Sequence, residues 1–400
     1  MGTVFRPLSP TEYMYFPMRD LAPPFLMQMV VPGSGQLTAD RLREAVRVAA
    51  SVCPGARLRR EGRFWVDTET PPPVREVAGH VLDYARLEQD SLLGSPLPDA
   101  TCEVVLLTGD PVTVIFRVFH GVMDGGGMML WARSVFAVLR GEQPHVLTDP
   151  VADEQLIQRV GRPGRAAPKM PAHYRSAAGH GRQERGEPRH LLRHRSIAGV
   201  STRAVARLAA LLADHAGTPA RIMVPVDLRR HDENVRSTAN LALPLLLDIA
   251  PGQPWQAVYA AMWEKLSEDR ELDQLASPAI ANIPAPVMRT LLRTGNRIGA
   301  RRGRNLTSAT ISHLGRVDLD DWAVPGWKPT AVQVFPQHDV VTPLLFTMVE
   351  AGGRTELSVA ARNGRGIAGR LEILLDRIEG TFDGGATRHR SNSEAGRDDS

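Results

Sequence analysis

The segment Val112 to Phe119, VTVIFRVF, constrains the fold more than any other stretch. At the two-residue period of a strand, Val112, Val114, Phe116 and Val118 share one face, and Thr113, Ile115, Arg117 and Phe119 the other. Apolar groups on both faces require a packed layer on each side, so this is a central strand, not one with a wet face. It runs straight into His120, a turn of Gly121-Val122-Met123-Asp124, three glycines, and an amphipathic helix with Met128, Trp131, Val135 and Leu139 on one side. A histidine at the end of a buried strand is fixed by a rigid element. The glycines beside it leave space for a substrate and for backbone N–H groups.

A chain of 400 residues with 43% hydrophobic content can bury two cores. The pattern on either side of the central strand agrees. Thr38 caps a helix whose apolar positions Leu42, Ala45, Val46, Ala49 and Val52 recur at three and four residues and end before Pro54. Strands are expected near Arg63 to Asp67 and over Cys102 to Leu107. Beyond about Asp149 the composition turns to Arg, His, Gly and Pro, and residues 151–199 read as a polar basic linker, with an anion-binding arm as the alternative. Periodicity then resumes, with a helix from Ser201 to a Gly217 cap and strands at Ala220 to Asp227 and Leu241 to Ile249. Helices follow over Trp255 to Leu275 and Val287 to Arg301, late strands lie near 309–312, 344–350 and 356–361, and a last helix covers 368–381. The expected division is 1–150, the linker 151–199, 200–383, and a disordered tail 384–400.

Several function classes are disfavoured. The formal charge of +4 is small for this length, and no basic run is interleaved with aromatics, so no nucleic-acid partner is expected. Cys53 and Cys102 alone supply neither a zinc tetrad nor a disulfide framework, so no metal is expected. The opening MGTVFRPLSPTEYMYF has no basic segment followed by an apolar run, and eighteen uncharged apolar residues never follow one another. A cytoplasmic chain without a membrane span is the expectation.

With His120, Asp124 and Gly125 forming HxxxDG, the sequence resembles the superfamily of CoA-dependent acyltransferases, which takes in chloramphenicol acetyltransferases, condensation domains of peptide synthetases and polyketide-associated acyltransferases. Phe119 stands where a leading His is often found. Three further segments carry the likeness in the expected order. LSPTEYMYF and the helix into CPGARLRR resemble the usual opening. RIMVPVDLRRHDENVRSTANLALPLLLDI resembles the PVDLR segment and the Asn element after it, here Arg229 and Asn240. ATISHLGRV resembles the S-N-x-G strand, with Ser312 in place and His313 where Asn is usual. The DFGWG motif of the plant branch is not recognisable, DWAVPGWKP being a distant echo of it.

The resemblance implies an α/β fold of two chloramphenicol-acetyltransferase-like subdomains set as a V, with the active site at their junction and a tunnel open to a thioester arm on one face and to an acceptor on the other. It makes His120 the general base, as suits an imidazole of near-neutral pKa, and places the Ser312 hydroxyl near the oxyanion of the tetrahedral intermediate. It makes Asp124 structural, paired with Arg229. Gly125 to Gly127 would let the loop approach the thioester arm, or simply form a turn before a helix. No Cys or Ser has the company of a nucleophile, so direct transfer is expected. The co-substrate would be acyl-CoA or an acyl or peptidyl carrier protein, with no bound cofactor, and the acceptor a hydroxyl or amine of a specialised metabolite. A noncatalytic docking protein for carrier domains and a condensation-like cyclase are the alternatives.

Overall fold

The computed structural model describes residues 2–161, 173–337 and 341–394. In chain order the first half runs β1 (Thr3–Pro7), α1 (Pro10–Leu21), β2 (Leu26–Gly35), α2 (Ala39–Ser51), β3 (Leu58–Glu61), β4 (Phe64–Asp67), β5 (Val74–Val77), β6 (Cys102–Leu107), β7 (Val112–Phe119) and α3 (Gly125–Leu139). Next come α4 (Asp153–Val160), β8 (His190–Ala198), α5 (Ala204–Ala216), β9 (Ala220–Asp227), β10 (Ala242–Ile249), α6 (Trp255–Ser267) and α7 (Ala285–Arg302). The chain closes with β11 (Ala309–Val317), β12 (Trp327–Pro329), β13 (Gln333–Phe335), β14 (Leu344–Ala351), β15 (Arg354–Arg362) and α8 (Ile367–Glu394).

Two six-stranded sheets carry the architecture. One contains β12-β2-β7-β6-β5, with β13 also on β2, and the other runs β10-β9-β11-β14-β15-β8. A small third sheet, β1-β4-β3, backs the N-terminal region. The central strand is β7, paired antiparallel with β2 on one side and β6 on the other. Its Val114, Phe116 and Val118 meet Leu42 and Val46 of α2 and Trp131 and Val135 of α3 in the larger core. On the opposite face Ile115 joins Val30, Val105 and Phe335 against Leu192 and Ala360 of the second sheet. The two-faced apolar pattern therefore has a definite cause: helices cover one side and the other half of the molecule covers the other. Arg117, the exception in that pattern, is fully buried and satisfied by Glu103 and by Gln28 Oε1 at 3.1 Å. A separate core forms where Leu208 and Leu212 of α5 and Leu371 and Leu375 of α8 pack on Ile222 and Phe346.

Three boundaries differ from the sequence reading. The expected linker 151–199 supplies α4 and β8, the latter pairing along its whole length with β15 as an edge strand. Frequent Arg and His give the segment a solvated look, yet within β8 these side chains are neutralised: Arg193 reaches Glu88 and Glu372, Arg195 reaches Glu372, and His194 lies 2.9 Å from Glu356. Residues 162–172 of the segment lie outside the described residues. The second correction concerns 200–383, whose β12 and β13 belong to the first sheet, where they pair antiparallel with β2. An open edge of β2 would leave a row of backbone groups unpaired, and the late segment closes it. The aromatic pair in DWAVPGWKP supplies the anchor, since Trp322 and Trp327 are both buried against Phe136 at centroid distances of 4.9 and 5.8 Å. Third, the last helix continues to Glu394, through most of the segment 384–400 expected to be disordered; residues 395–400 lie outside the described ones.

Candidate active site

His120 leaves the end of β7, as the sequence suggests, and Asp124 four residues on is the N-cap of α3, its Oδ1 accepting from the Gly127 N–H at 2.6 Å. The same carboxylate accepts from the Leu241 N–H at 2.7 Å and from Arg229 at 3.1 and 3.2 Å. Arg229 in turn donates to Asp227 at 2.9 Å and to the carbonyls of Ser237 and Ala239 at 3.1 and 3.0 Å. Asp124 thus fastens the start of α3 to the loop between β9 and β10. Burial works against the charge on Arg229, but the two carboxylates outweigh it and raise its pKa. Burial, with the Asp124 charge next, pushes the Asp227 carboxyl up.

That loop delivers Asn240, whose Oδ1 lies 3.1 Å from His120 Nδ1. In this orientation of the carboxamide the oxygen can only accept, so Nδ1 carries the proton and Nε2 the basic lone pair. Tyr15 of α1 stacks on the imidazole with centroids 4.4 Å apart and planes 15° apart. The ring is thereby held between an aromatic face and a hydrogen bond. Burial lowers the His120 pKa; hydrogen bonds to backbone groups of His120 and Met123, the Asp124 charge and the Asn240 contact oppose that shift without cancelling it.

The three glycines open α3 itself, and two of them, Gly125 and Gly126, also face the cavity at the junction of the two halves. A Cβ on Gly127 would stand 2.2 Å from the Thr238 carbonyl oxygen, one on Gly125 2.6 Å from Leu314, and one on Gly126 2.9 Å from Asp227. The second half of the molecule presses directly on this helix start, and at Gly127, which meets backbone, only glycine leaves room for it.

A cavity of about 570 Å³ lies at the junction of the two halves. His120, Tyr15, Met18, Met129 and Arg133 line it from the first half; Met223, Leu243, Ser312, His313 and Leu345 line it from the second. Ser312 and His313 are neighbours on β11 and both line the cavity; the register of that strand shifts just after them, between His313 and Arg316, with Gly315 at a φ of 81°. His313 Nε2 is 3.4 Å from Glu350, which also meets Arg316. Of the sequence-derived residues, His120, Asp124, Gly125, Arg229 and Ser312 line this one cavity, and Asn240 reaches it through His120. Sequence reasoning missed Tyr15, although it lies in the quoted opening LSPTEYMYF, and Arg133, two turns into α3. Nothing in a single sequence marks an aromatic as stacked on a distant histidine.

No protein-family model matches the chain, and no curated protein matches it. Solved structures do. Polyketide synthase associated protein 5 from Mycobacterium tuberculosis superposes with a TM-score of 0.62 at 15% identity, covering 94% of this chain and 97% of that one. The condensation domain of the Monacolin K polyketide synthase MokA gives 0.61 at 14%, with 94% and 97% covered. The starter condensation domain of rhizomide synthetase RzmA, as a point mutant in complex with C8-CoA, gives 0.59 at 16%, with 95% of each chain covered. The chain has the condensation-domain fold, the fold that the HxxxDG resemblance implies. At this level of identity the likeness is one of fold. Among the described residues no helix is long and apolar enough to cross a membrane.

Proposed function

We propose that this chain is an acyltransferase that moves an acyl group from a thioester, carried by CoA or a carrier protein, to a hydroxyl or amine of a small-molecule acceptor. The observation that carries the reading is the mounting of His120: a cavity-lining imidazole whose Nδ1 proton is committed to Asn240 and whose pKa is held below its ordinary value. Such a ring is neutral at pH 7 and presents Nε2 as a base. It takes the acceptor's proton as the nucleophile attacks the thioester carbonyl, and returns a proton to the departing thiolate. General-base assistance of this kind contributes roughly 10²–10⁴-fold. The Ser312 hydroxyl shares the cavity and is the candidate donor to the oxyanion. Arg133, exposed on the cavity wall, is the candidate cation for a phosphate of the donor. Thioester chemistry at this fold is supported by the C8-CoA complex of the starter domain.

The test is release of free thiol from a panel of acyl-CoAs in the presence of candidate alcohols and amines. Release that disappears in His120→Ala supports the reading. Undiminished release in that variant would overturn it, and silence from both proteins moves the assay to carrier protein loaded with the acyl group. Arg133→Ala should raise the KM for acyl-CoA and leave kcat near that of the wild type.

A further inference from the structure

Helix α7 stands apart from the rest of the surface. Its eighteen residues, APVMRTLLRTGNRIGARR, hold five arginines and no acidic residue, and Arg304 lies just beyond its end. Arg289 is paired with Asp20 of α1. Arg293, Arg297, Arg301 and Arg302 have no ion-pair partner among the described residues. The same helix exposes three large aliphatic side chains, Val287 at 50%, Leu291 at 57% and Ile298 at 49%.

The positions of these residues are not random. At about 100° per residue, Val287, Leu291 and Ile298 fall within about 40° of one another and extend about 16 Å along the axis. Arg297 and Arg301 lie on one flank of that ridge and Arg302 on the other. The buried contacts of the helix, Met288 and Gly299, lie about a quarter-turn further round. The outward surface is therefore a strip of aliphatic groups bordered by guanidinium groups on both sides. It is separate from the face that anchors the helix to α1.

We propose that α7 is an interfacial helix that seats this protein on an anionic lipid bilayer. Charge complementarity favours that occupant. Lipid phosphates lie in a plane, so guanidinium groups on both flanks can be satisfied at once while the aliphatic ridge enters between headgroups. An acidic protein would have to present a matching groove with anions along both rims. The location also suits the cavity, because α1, which holds α7 through Arg289 to Asp20 and the turn before α7 through Tyr13 to the Ile283 carbonyl, contributes Met14, Tyr15 and Met18 to the cavity wall. Seating α7 on a bilayer brings that apolar wall close to the lipid phase; this last step rests on the acyltransfer reading, whereas the docking itself does not.

The experiment is co-sedimentation of the full chain with vesicles of phosphatidylcholine alone or with about 30% phosphatidylglycerol. Binding to the anionic vesicles, weakened by salt, is expected. Arg297→Glu/Arg301→Glu/Arg302→Glu should weaken it by on the order of 100-fold, from about tenfold or less for each cation removed near the surface. Leu291→Ser/Ile298→Ser, with every charge intact, should also lose binding and leave a purely salt-sensitive residue. All five positions are at the surface, and an unchanged thermal melting curve checks that the variants are folded. His120→Ala should sediment like the wild type, so failure of the catalytic proposal and failure of this one are distinguishable. No binding to anionic vesicles at low salt, equal binding by the triple variant, or retention of α7 only by an acidic carrier protein would overturn the proposal.

Discussion

His120, the proposed base, illustrates how little of such a residue's character is its own. Its identity comes from the sequence, but its tautomer comes from Asn240 and its orientation from Tyr15. Because burial lowers its pKa, the folded protein resists protonating it. The acid limb of kcat/KM should therefore lie below pH 6.5, the ordinary value for imidazole, with activity lost as pH falls through the lowered pKa. Asn240→Ala removes a contact that raises the pKa, so the limb should move further to acid; kcat should fall by roughly fivefold, the worth of one hydrogen bond of about 1 kcal/mol. A pH–rate profile of the two proteins checks both statements. Asp124 makes a different kind of contribution. Its carboxylate has four polar contacts and is buried, so Asp124→Ala should cost about 3–5 kcal/mol in a urea titration. The double variant Asp124→Leu/Arg229→Leu should recover part of that loss, since it no longer strands a buried guanidinium.

Two elements can be tested by their joints. β12 lies so close to β2 that a Cβ on Gly33 would stand 2.3 Å from the Trp327 ring. Gly33→Ala must push the late segment off the sheet edge, and a stability loss of about 1–3 kcal/mol is expected from calorimetry or denaturant titration. Helix α4 starts at Asp153, a fully buried carboxyl that accepts from Thr11 of α1 at 2.7 Å. Burial pushes its pKa up to about 6 from 3.8. A carboxyl whose folded pKa is raised favours the folded state fully below its unfolded pKa, and that contribution is lost as pH rises through about 6. At neutral pH the burden is on the order of 2–3 kcal/mol, a shift of about two units at about 1.36 kcal/mol each. Asp153→Asn should therefore stabilise the protein at pH 7, with the gain shrinking to nothing below about pH 4, as paired melting curves across pH would show.

Across the whole molecule, the two halves are tied in three ways: the shared core around Ile115, Phe335 and Leu192, the insertion of β12 and β13 into the first sheet, and the Asp124–Arg229 bridge. The cavity exists only where these ties hold the halves together. Neither of its two sides holds both candidate residues, because His120 and Ser312 come from different sheets.

Elements whose cause is local were legible in the chain alone. Alternation marked β7 and its two apolar faces, three-and-four spacing with Thr38 marked α2, Gly217 closed α5, and His120-x-x-x-Asp124-Gly125 marked candidate residues that the fold brings to one cavity. Resemblance to a known pattern added the pairing of Asp124 with Arg229. Other features wait on partners far away in the chain. The arginines and histidines of β8 look like a solvated linker until Glu88, Glu356 and Glu372 are brought to them. Trp327 looks like a loop residue until β2 offers an open edge, and Tyr15 like any helix aromatic until His120 lies against it. Local pattern is set by backbone geometry and solvent, which each segment senses alone; charge neutralisation, edge closure and ring stacking need a second segment, and folding alone supplies it.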